Sequence, residues 1–123
     1  MTTRGGTLKE YLDSHRDSAD LLEHVRHAIR ALGPVEEKES KSQLAFRRRR
    51  NIALAWAPGQ YLGDRGAPLV LTLTFAERDQ SSRWKEIVEP SPGLYTHHLE
   101  LNDPSEIDDQ VRAWLQQAYD AAG

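Results

Sequence analysis

The chain has 123 residues, of which 38% are hydrophobic and 28% charged, and its formal net charge is −3. This length is close to that of one ordinary domain, so we expect a single domain over 1–123 with the composition of a globular protein rather than a disordered or fibrous one. The absence of cysteine excludes a disulfide scaffold, a Cys-ligated zinc site, an iron–sulfur cluster and thiol catalysis.

The start of the chain, MTTRGGTLKEYL, lacks the apolar core of a signal peptide. No apolar run approaches the ~20 residues that a membrane-spanning helix needs. We therefore expect a cytoplasmic protein with no membrane partner.

The N-terminal third predicts two helices. Thr7 and Glu10 have the spacing of a capping box at the start of a short first helix. Ser18 is the expected cap of a second helix, because apolar residues recur after it at helical spacing. The stripe consists of Leu22, Val25, Ile29 and Leu32. Gly33 and Pro34 predict its end, with the glycine in a left-handed capping conformation.

From Gln43 the apolar pattern changes to the alternation that is typical of strands. QLAFRR (43–48) and NIALAWA (51–57) predict two strands joined by a turn between Arg48 and Asn51. Their register is not readable, because a slip of one residue exchanges the two faces of a strand. A long loop is expected over 58–68, where prolines and glycines are frequent.

Three further strands are predicted beyond this loop. LVLTLTF (69–75) alternates strictly, so we expect one face, formed by Leu69, Leu71, Leu73 and Phe75, to point toward the helices. WKEIVEP (84–90) and YTHHLEL (95–101) predict the other two strands. On the last one, His97 shares a face with leucines and is expected in the core, whereas His98 lies on the face of Thr96 and Glu100.

A final helix is predicted to start at Asp103, Pro104 and Glu106, which supply a capping carboxylate, a proline at the first helical position and an acidic first turn. Its apolar stripe is formed by Ile107, Val111, Trp114, Leu115 and Ala118. The order of elements predicts an α+β fold: two N-terminal helices, a central antiparallel sheet of about five strands, and a C-terminal amphipathic helix.

Charge is distributed unevenly along the chain. Six basic residues and only Glu39 as an acid lie between Lys38 and Arg50, whereas six acidic residues and only Arg112 as a base lie between Glu100 and Asp120. Guanidinium groups match phosphate or carboxylate with two parallel hydrogen bonds. The basic segment therefore predicts an anion site, with Lys41, Ser42, Arg47, Arg48, Arg49 and Arg50 as ligand-binding residues, joined by Arg83 and His98. The alternative is that these arginines pair with the acidic C-terminal helix or with nearby glutamates.

Neither a metal nor a cofactor is expected. His98 and Glu100 supply only two ligands, and His24 and His27 with Asp20 have a ligand-like spacing that is more typical of a solvated helix face. His98 with an acidic partner could serve in acid–base catalysis.

Three segments carry a family resemblance: EKESKSQLAFRRRR, RWKEIVEPSPGLYTHHLEL and the closing helix with Trp114-Leu115 and Ala118-Tyr119. The most specific parts are Lys41-Ser42, Phe46-Arg47 and His97-His98. Together they resemble the bacterial family called domain of unknown function 5655, over nearly the whole chain. The resemblance implies the same fold and supplies no catalytic residue. It also implies relatives that are sometimes joined to nuclease-like or other DNA-associated domains.

The leading functional prediction is a small cytoplasmic domain that binds an anionic ligand, either phosphate or carboxylate, through the basic strand. One alternative is a small enzyme that acts on an anionic substrate with His98 as acid or base. Others are a nucleic-acid-associated accessory domain and an interaction domain that self-associates through its charge polarity. A concave pocket containing His98 would favour the enzyme, and a convex arginine surface would favour nucleic acid.

Overall fold

A six-stranded antiparallel sheet forms the centre of the computed structural model, which describes residues 6–63 and 65–123. The strands, in chain order, are β1 (Glu36–Glu39), β2 (Leu44–Arg47), β3 (Asn51–Trp56), β4 (Leu69–Phe75), β5 (Glu86–Ser91) and β6 (Leu94–Leu101). They lie in the sheet in the order β1-β2-β3-β4-β6-β5. The fold is therefore α+β as predicted, with six strands instead of about five.

Four α-helices and one 3₁₀ turn complete the described fold. The helices are α1 (Leu8–Asp13), α2 (Arg16–Arg30), α3 (Gly59–Leu62) and α4 (Asp109–Ala121), and the 3₁₀ turn spans Pro104–Glu106. No helix within the described ranges combines the length and the apolar character needed to cross a membrane. Residues 1–5, on which the expectation of no signal peptide partly depends, lie outside the described residues.

The start of α1 is as predicted, whereas the bounds of α2 differ. Thr7 and Glu10 form the reciprocal capping box, with N–H to side-chain distances of 2.8 and 3.1 Å. The expected cap Ser18 is instead a buried residue of α2, because the helix begins at Arg16. The helix also ends at Arg30 with Ala31 as its C-cap, so Gly33, which has a positive φ of 145°, lies one residue beyond the predicted capping position.

The strand that sequence patterning missed is β1, whose residues EEKE carry no apolar alternation. It pairs with β2 at the edge of the sheet, where charged side chains discourage pairing with another chain. On the helix side, Glu37 accepts bonds from Arg26 at 2.9 Å and Arg30 at 2.8 Å, both on α2. Charge pairing with a helix thus replaces the apolar contact that usually marks a strand.

The C-terminal helix starts later than predicted. Asp103 and Glu106 do form a capping box, but it caps only the 3₁₀ turn. Ile107 then turns into the core, and the carboxylate of Asp108 accepts a bond from the N–H of Val111 at 3.1 Å. The chain therefore has two capping carboxylates in sequence, and α4 begins after the second. The expected loop over 58–68 contains the short helix α3.

The core lies between the sheet and helices α2 and α4. All four residues predicted to face the helices on β4 are 0–5% exposed: Leu69, Leu71, Leu73 and Phe75. Trp114 and His97 are also buried, as predicted. On the opposite face of β4, Val70 and Thr72 are buried as well, and Thr74 is half-exposed. Trp56 and the segment around α3 line the space over this second face, which we call the open face of the sheet.

Candidate ligand-binding pocket

The eight residues predicted to bind an anion do not form one site. Lys41 and Ser42 lie in the turn between β1 and β2, whereas the arginine run lies at the other end of β2. The backbone carbonyl of Lys41 accepts the N–H of Leu8 at 2.7 Å, which joins this turn to α1. The length of β2 thus separates two groups that are only a few residues apart in the chain.

Arg48 is bound to the C-terminal end of α4. Its Nη1 donates to the carbonyl of Tyr119 at 2.9 Å, and its guanidinium lies 4.1 Å from the centre of the Tyr119 ring. The backbone N–H groups of Arg49 and Arg50 donate to the carbonyl of Ala122 at 2.9 and 3.0 Å. The last carbonyls of a helix have no partner within the helix, so this turn caps α4 and Arg48 has a structural role.

Arg83 is also engaged within the fold. Its guanidinium donates to both carboxylate oxygens of Asp108 at 3.0 Å, to Gln110 at 2.9 Å and to the carbonyl of Glu106 at 3.1 Å. These four hydrogen bonds at the start of α4 leave few of its donors for a ligand. Arg83 also lies apart from the arginine cluster, so it is not part of that site.

Arg47, Arg49 and Arg50 have side chains without hydrogen-bond or ion-pair partners among the described residues. Arg47 and Arg49 line an open hollow with Pro34, Val35 and Glu36. The Nε atom of Arg47 is buried there with no acceptor in the described part of the chain. These three arginines are what remains of the predicted anion patch.

His98 lies in a separate and more enclosed pocket of about 340 Å³, between α3 and the open face of the sheet. Its walls are mostly apolar, with three charged side chains at one side. The lining residues are Trp56, Pro58, Tyr61, Leu62, Gly66, Val70, Lys85, Glu86, His98 and Glu100. Asn51 of β3 pairs with Arg47, and Trp56 lies at the other end of this strand, ~17 Å away at 3.3 Å per residue.

The pairing register of strands β3 to β6 determines which residues form the floor of this pocket. Val70 of β4 pairs with Trp56 on one side and with Glu100 on the other. One row further along, His98 pairs with Thr72 of β4 and with Glu86 of β5. Directly opposed residues of this kind have Cβ atoms ~4.5–5.5 Å apart. The sheet therefore places an indole, an imidazole and two carboxylates next to one another.

Burial lowers the pKa of His98, and the negative charge of Glu86 opposes this shift only in part. The imidazole is therefore neutral at pH 7 and carries one proton, on either Nδ1 or Nε2.

A chain of hydrogen bonds decides which nitrogen carries this proton. Trp56 donates its indole N–H to Thr72 Oγ1 at 3.0 Å, and Thr72 Oγ1 lies 2.8 Å from His98 Nδ1. Thr72 is 4% exposed, and leaving the proton of a buried hydroxyl unpaired is costly. Because an indole N–H only donates, the free hydroxyl proton of Thr72 is directed to Nδ1. His98 then carries its own proton on Nε2, which has no partner among the described residues.

The charged side of the pocket has a small excess of negative charge. Lys85 Nζ lies 3.5 Å from Glu100 Oε2, and the lysine side chain is 60% exposed. Glu86 has no ion-pair partner within the described ranges. Those ranges contain no cluster of three or more His, Cys, Asp or Glu side chains placed to hold a metal ion. The entrance is apolar, since Tyr61 and Leu62 of α3 are 55% and 50% exposed.

Sequence reasoning placed His98 and Glu100 on one face correctly but missed Trp56 and Thr72 as parts of the same site. Alternation indicated that Thr72 faces away from the leucines of β4. It did not indicate which strands flank β4. The pairing of β4 with β3 and β6 is what brings Trp56, Thr72 and His98 together.

Comparison with known proteins yields one match. The family model described as "Domain of unknown function (DUF5655)" matches residues 8–122, which is nearly the whole chain. No curated protein and no solved structure matches the chain.

Proposed function

We propose that this chain, which belongs to the family of domain of unknown function 5655, binds a small organic molecule in the pocket of His98. The observation that supports this most directly is the chain from Trp56 through Thr72 to His98, which holds the imidazole in the lining of an apolar-walled pocket with Nδ1 engaged. Pockets of ~300–1,000 Å³ with apolar walls and a few fixed polar groups are typical of small-molecule sites. We further propose a cytoplasmic location.

The chemistry of the pocket favours binding over catalysis. A neutral imidazole whose Nε2 carries the proton offers a hydrogen-bond donor there and no lone pair for proton abstraction. Among the described residues that line the pocket there is no serine or threonine to act as a nucleophile. A concave pocket that contains His98 is the feature that was expected to favour an enzyme, but its side chains are better suited to recognition, so the proposal that His98 acts as an acid or base has less support than binding.

A fragment screen by ligand-observed NMR tests this proposal. A Val70→Phe substitution places a phenyl ring on the pocket floor, whereas Thr74→Phe adds the same ring to the same face of β4 outside the pocket lining. We expect fragments that bind the wild type to lose binding in Val70→Phe and to keep it in Thr74→Phe. Both variants are first checked for folding by thermal unfolding. Fragments that bind all three proteins alike, or no bound fragment, would refute the proposed pocket.

A second candidate function is anion recognition by Arg47, Arg49 and Arg50. It is supported by the lack of protein partners for these guanidinium groups within the described ranges and by the buried, unpaired Nε of Arg47. The ligand would be a phosphate or carboxylate, free or on a nucleic acid backbone. Three of the eight residues first predicted are left for this site, because Arg48 and Arg83 are engaged elsewhere and the remaining three lie apart from the cluster: Lys41, Ser42 and His98.

A further inference from the structure

The polar side of the His98 pocket presents donors and acceptors of a specific kind. His98 Nε2–H is a neutral donor whose tautomer is set by Thr72. Beside it are the carboxylates of Glu86, across the strand pair, and Glu100, two residues along β6. An ionised carboxylate only accepts hydrogen bonds. A ligand that satisfies this side must therefore accept one hydrogen bond and donate at least one.

An anionic ligand is disfavoured by the charges of the pocket. Two carboxylates and one ammonium line it, so the described residues carry a net charge of −1 there. Lys85 is already paired with Glu100 and is mostly exposed, which weakens its attraction for a bound anion. A carboxylate or phosphate in the pocket would lie close to the unpaired charge of Glu86.

A simple organic cation is disfavoured by His98. An ammonium group has donors and no acceptor, so it would leave His98 Nε2–H facing another donor. A buried donor that loses water and gains no acceptor costs binding free energy. An uncharged group with an acceptor and a donor side by side avoids both the repulsion by Glu86 and the unpaired N–H of His98.

The walls favour a flat ring. Trp56 lies edge-on to His98, with 6.2 Å between ring centres, and the partly exposed Tyr61 and Leu62 of α3 also line the pocket. Aromatic and apolar side chains of this kind hold flat heterocycles by stacking, while hydrogen bonds read the ring edge.

We propose, on the basis of the binding function proposed above, that the ligand is an uncharged planar heterocycle with a lactam edge, such as a pyrimidine or purine base. Its ring carbonyl accepts from His98 Nε2–H, and its adjacent ring N–H donates to Glu86 or Glu100. The same chemistry occurs in a free base and in an unpaired base of a single-stranded nucleic acid, so the test must separate these two sources.

The test compares five probes of similar size by ligand-observed NMR titration at pH 7.5. Uracil and hypoxanthine have the lactam edge, 1,3-dimethyluracil lacks the ring N–H, and benzoate and benzylamine are the anionic and cationic controls. We expect uracil or hypoxanthine to bind best and dimethylation to weaken uracil binding about tenfold, the lower end for one hydrogen bond to a charged carboxylate.

Variants connect this preference to the proposed contacts. His98→Phe keeps a ring and removes the donor, so we expect lactam binding to weaken about tenfold. His24→Phe is the matched control, since His24 lines a different hollow on α2, and it should leave binding unchanged. Glu86→Gln and Glu100→Gln together should weaken the lactams and strengthen benzoate. Thymidine and a short oligothymidylate then separate the sources: equal affinity indicates a free base, and tighter, salt-dependent binding indicates a strand.

The results distinguish failure of this inference from failure of the proposed function. If benzoate or benzylamine binds most tightly, or if His98→Phe leaves lactam binding unchanged, the lactam assignment is wrong. The pocket is still a binding site in that case if Val70→Phe abolishes binding of the probe, and it is refuted if Val70→Phe does not. If no fragment of any class binds, both proposals fail.

Discussion

The side chain of His97 accepts a hydrogen bond at Nε2 from the backbone N–H of Asp79, at 3.0 Å. Its Nδ1 lies 3.0 Å from the carbonyl of Tyr95, which can only accept. Both contacts are satisfied only by a neutral imidazole with its proton on Nδ1. Burial lowers the pKa of this fully buried residue, and the nearby carboxylate of Asp79 opposes the shift in part.

This geometry predicts that the free energy of unfolding falls on mild acidification. In the unfolded chain histidine binds a proton with a pKa of ~6.5, whereas folded His97 and His98 both have lowered pKa values. The unfolded state therefore binds more protons, and stability is lost as pH falls below ~6.5 toward the folded pKa values. Urea unfolding at pH 7.5 and 5.5 measures this loss.

Matched variants show which histidine causes the loss of stability at low pH. His98→Phe should reduce it, and His24→Gln, which replaces an exposed histidine of α2, is the matched control. The lowered pKa values of Asp79, Asp103 and Asp108 affect stability only below about pH 5, where carboxylates of the unfolded chain begin to bind protons. Equal stability at pH 7.5 and 5.5, or greater stability at pH 5.5, would contradict the prediction.

Trp114 is predicted to be essential for folding. It is 6% exposed, and its ring centre lies 4.2 Å from that of Trp84. Truncation of a buried tryptophan costs ~3–5 kcal/mol, a large part of the ~5–15 kcal/mol that stabilises a domain. Trp114→Ala should therefore have a much lower melting temperature, measured by circular dichroism. Arg112→Ala on the exposed side of α4 is the control, and an unchanged melting temperature of Trp114→Ala would exclude this role.

Arg48 and Arg49 are predicted to differ although they are adjacent. Arg48→Ala removes the bond to the Tyr119 carbonyl and the contact with its ring, so it should lower the free energy of unfolding by ~1–2 kcal/mol. Arg49→Ala removes an exposed side chain with no described partner and should change it by less than ~0.5 kcal/mol. Urea unfolding of both variants compares them, and equal losses would argue against the cap at the end of α4.

The second candidate function predicts salt-dependent anion binding. A screen of nucleotides, phosphorylated metabolites and short oligonucleotides at low salt should find a binder, and its affinity should fall as salt rises. Replacing Arg47 and Arg49 together by glutamine should weaken binding without unfolding the domain. Replacing Arg16 and Arg112, which lie away from the cluster, is the control for net charge. Equal binding by the two double variants would show that the cluster has no specific role.

Patterns within single elements determined much of the fold in advance. The alternation of LVLTLTF predicted the bounds and the buried face of β4, and the alternation of YTHHLEL predicted that His97 is in the core. These features follow from the period of one strand, which places alternate side chains on opposite faces. Such patterns did not give the start of α4, because the sequence offers two capping carboxylates there, Asp103 and Asp108. They also did not predict β1, because this edge strand is charged and has no apolar alternation.

The positions of the sites were decided by the tertiary structure. Lys41 and Arg47 are close in the chain, but they lie at opposite ends of β2, and Arg48 binds the end of α4 instead of a ligand. Trp56 and His98 are 42 positions apart in the sequence, and both bond to Thr72. The sequence by itself determined which face of their strands Thr72 and His98 occupy, whereas the register of the segment that contains Trp56 was not readable from it. Strand order and register determined which side chains meet, because pairing between strands depends on contacts that no single segment contains.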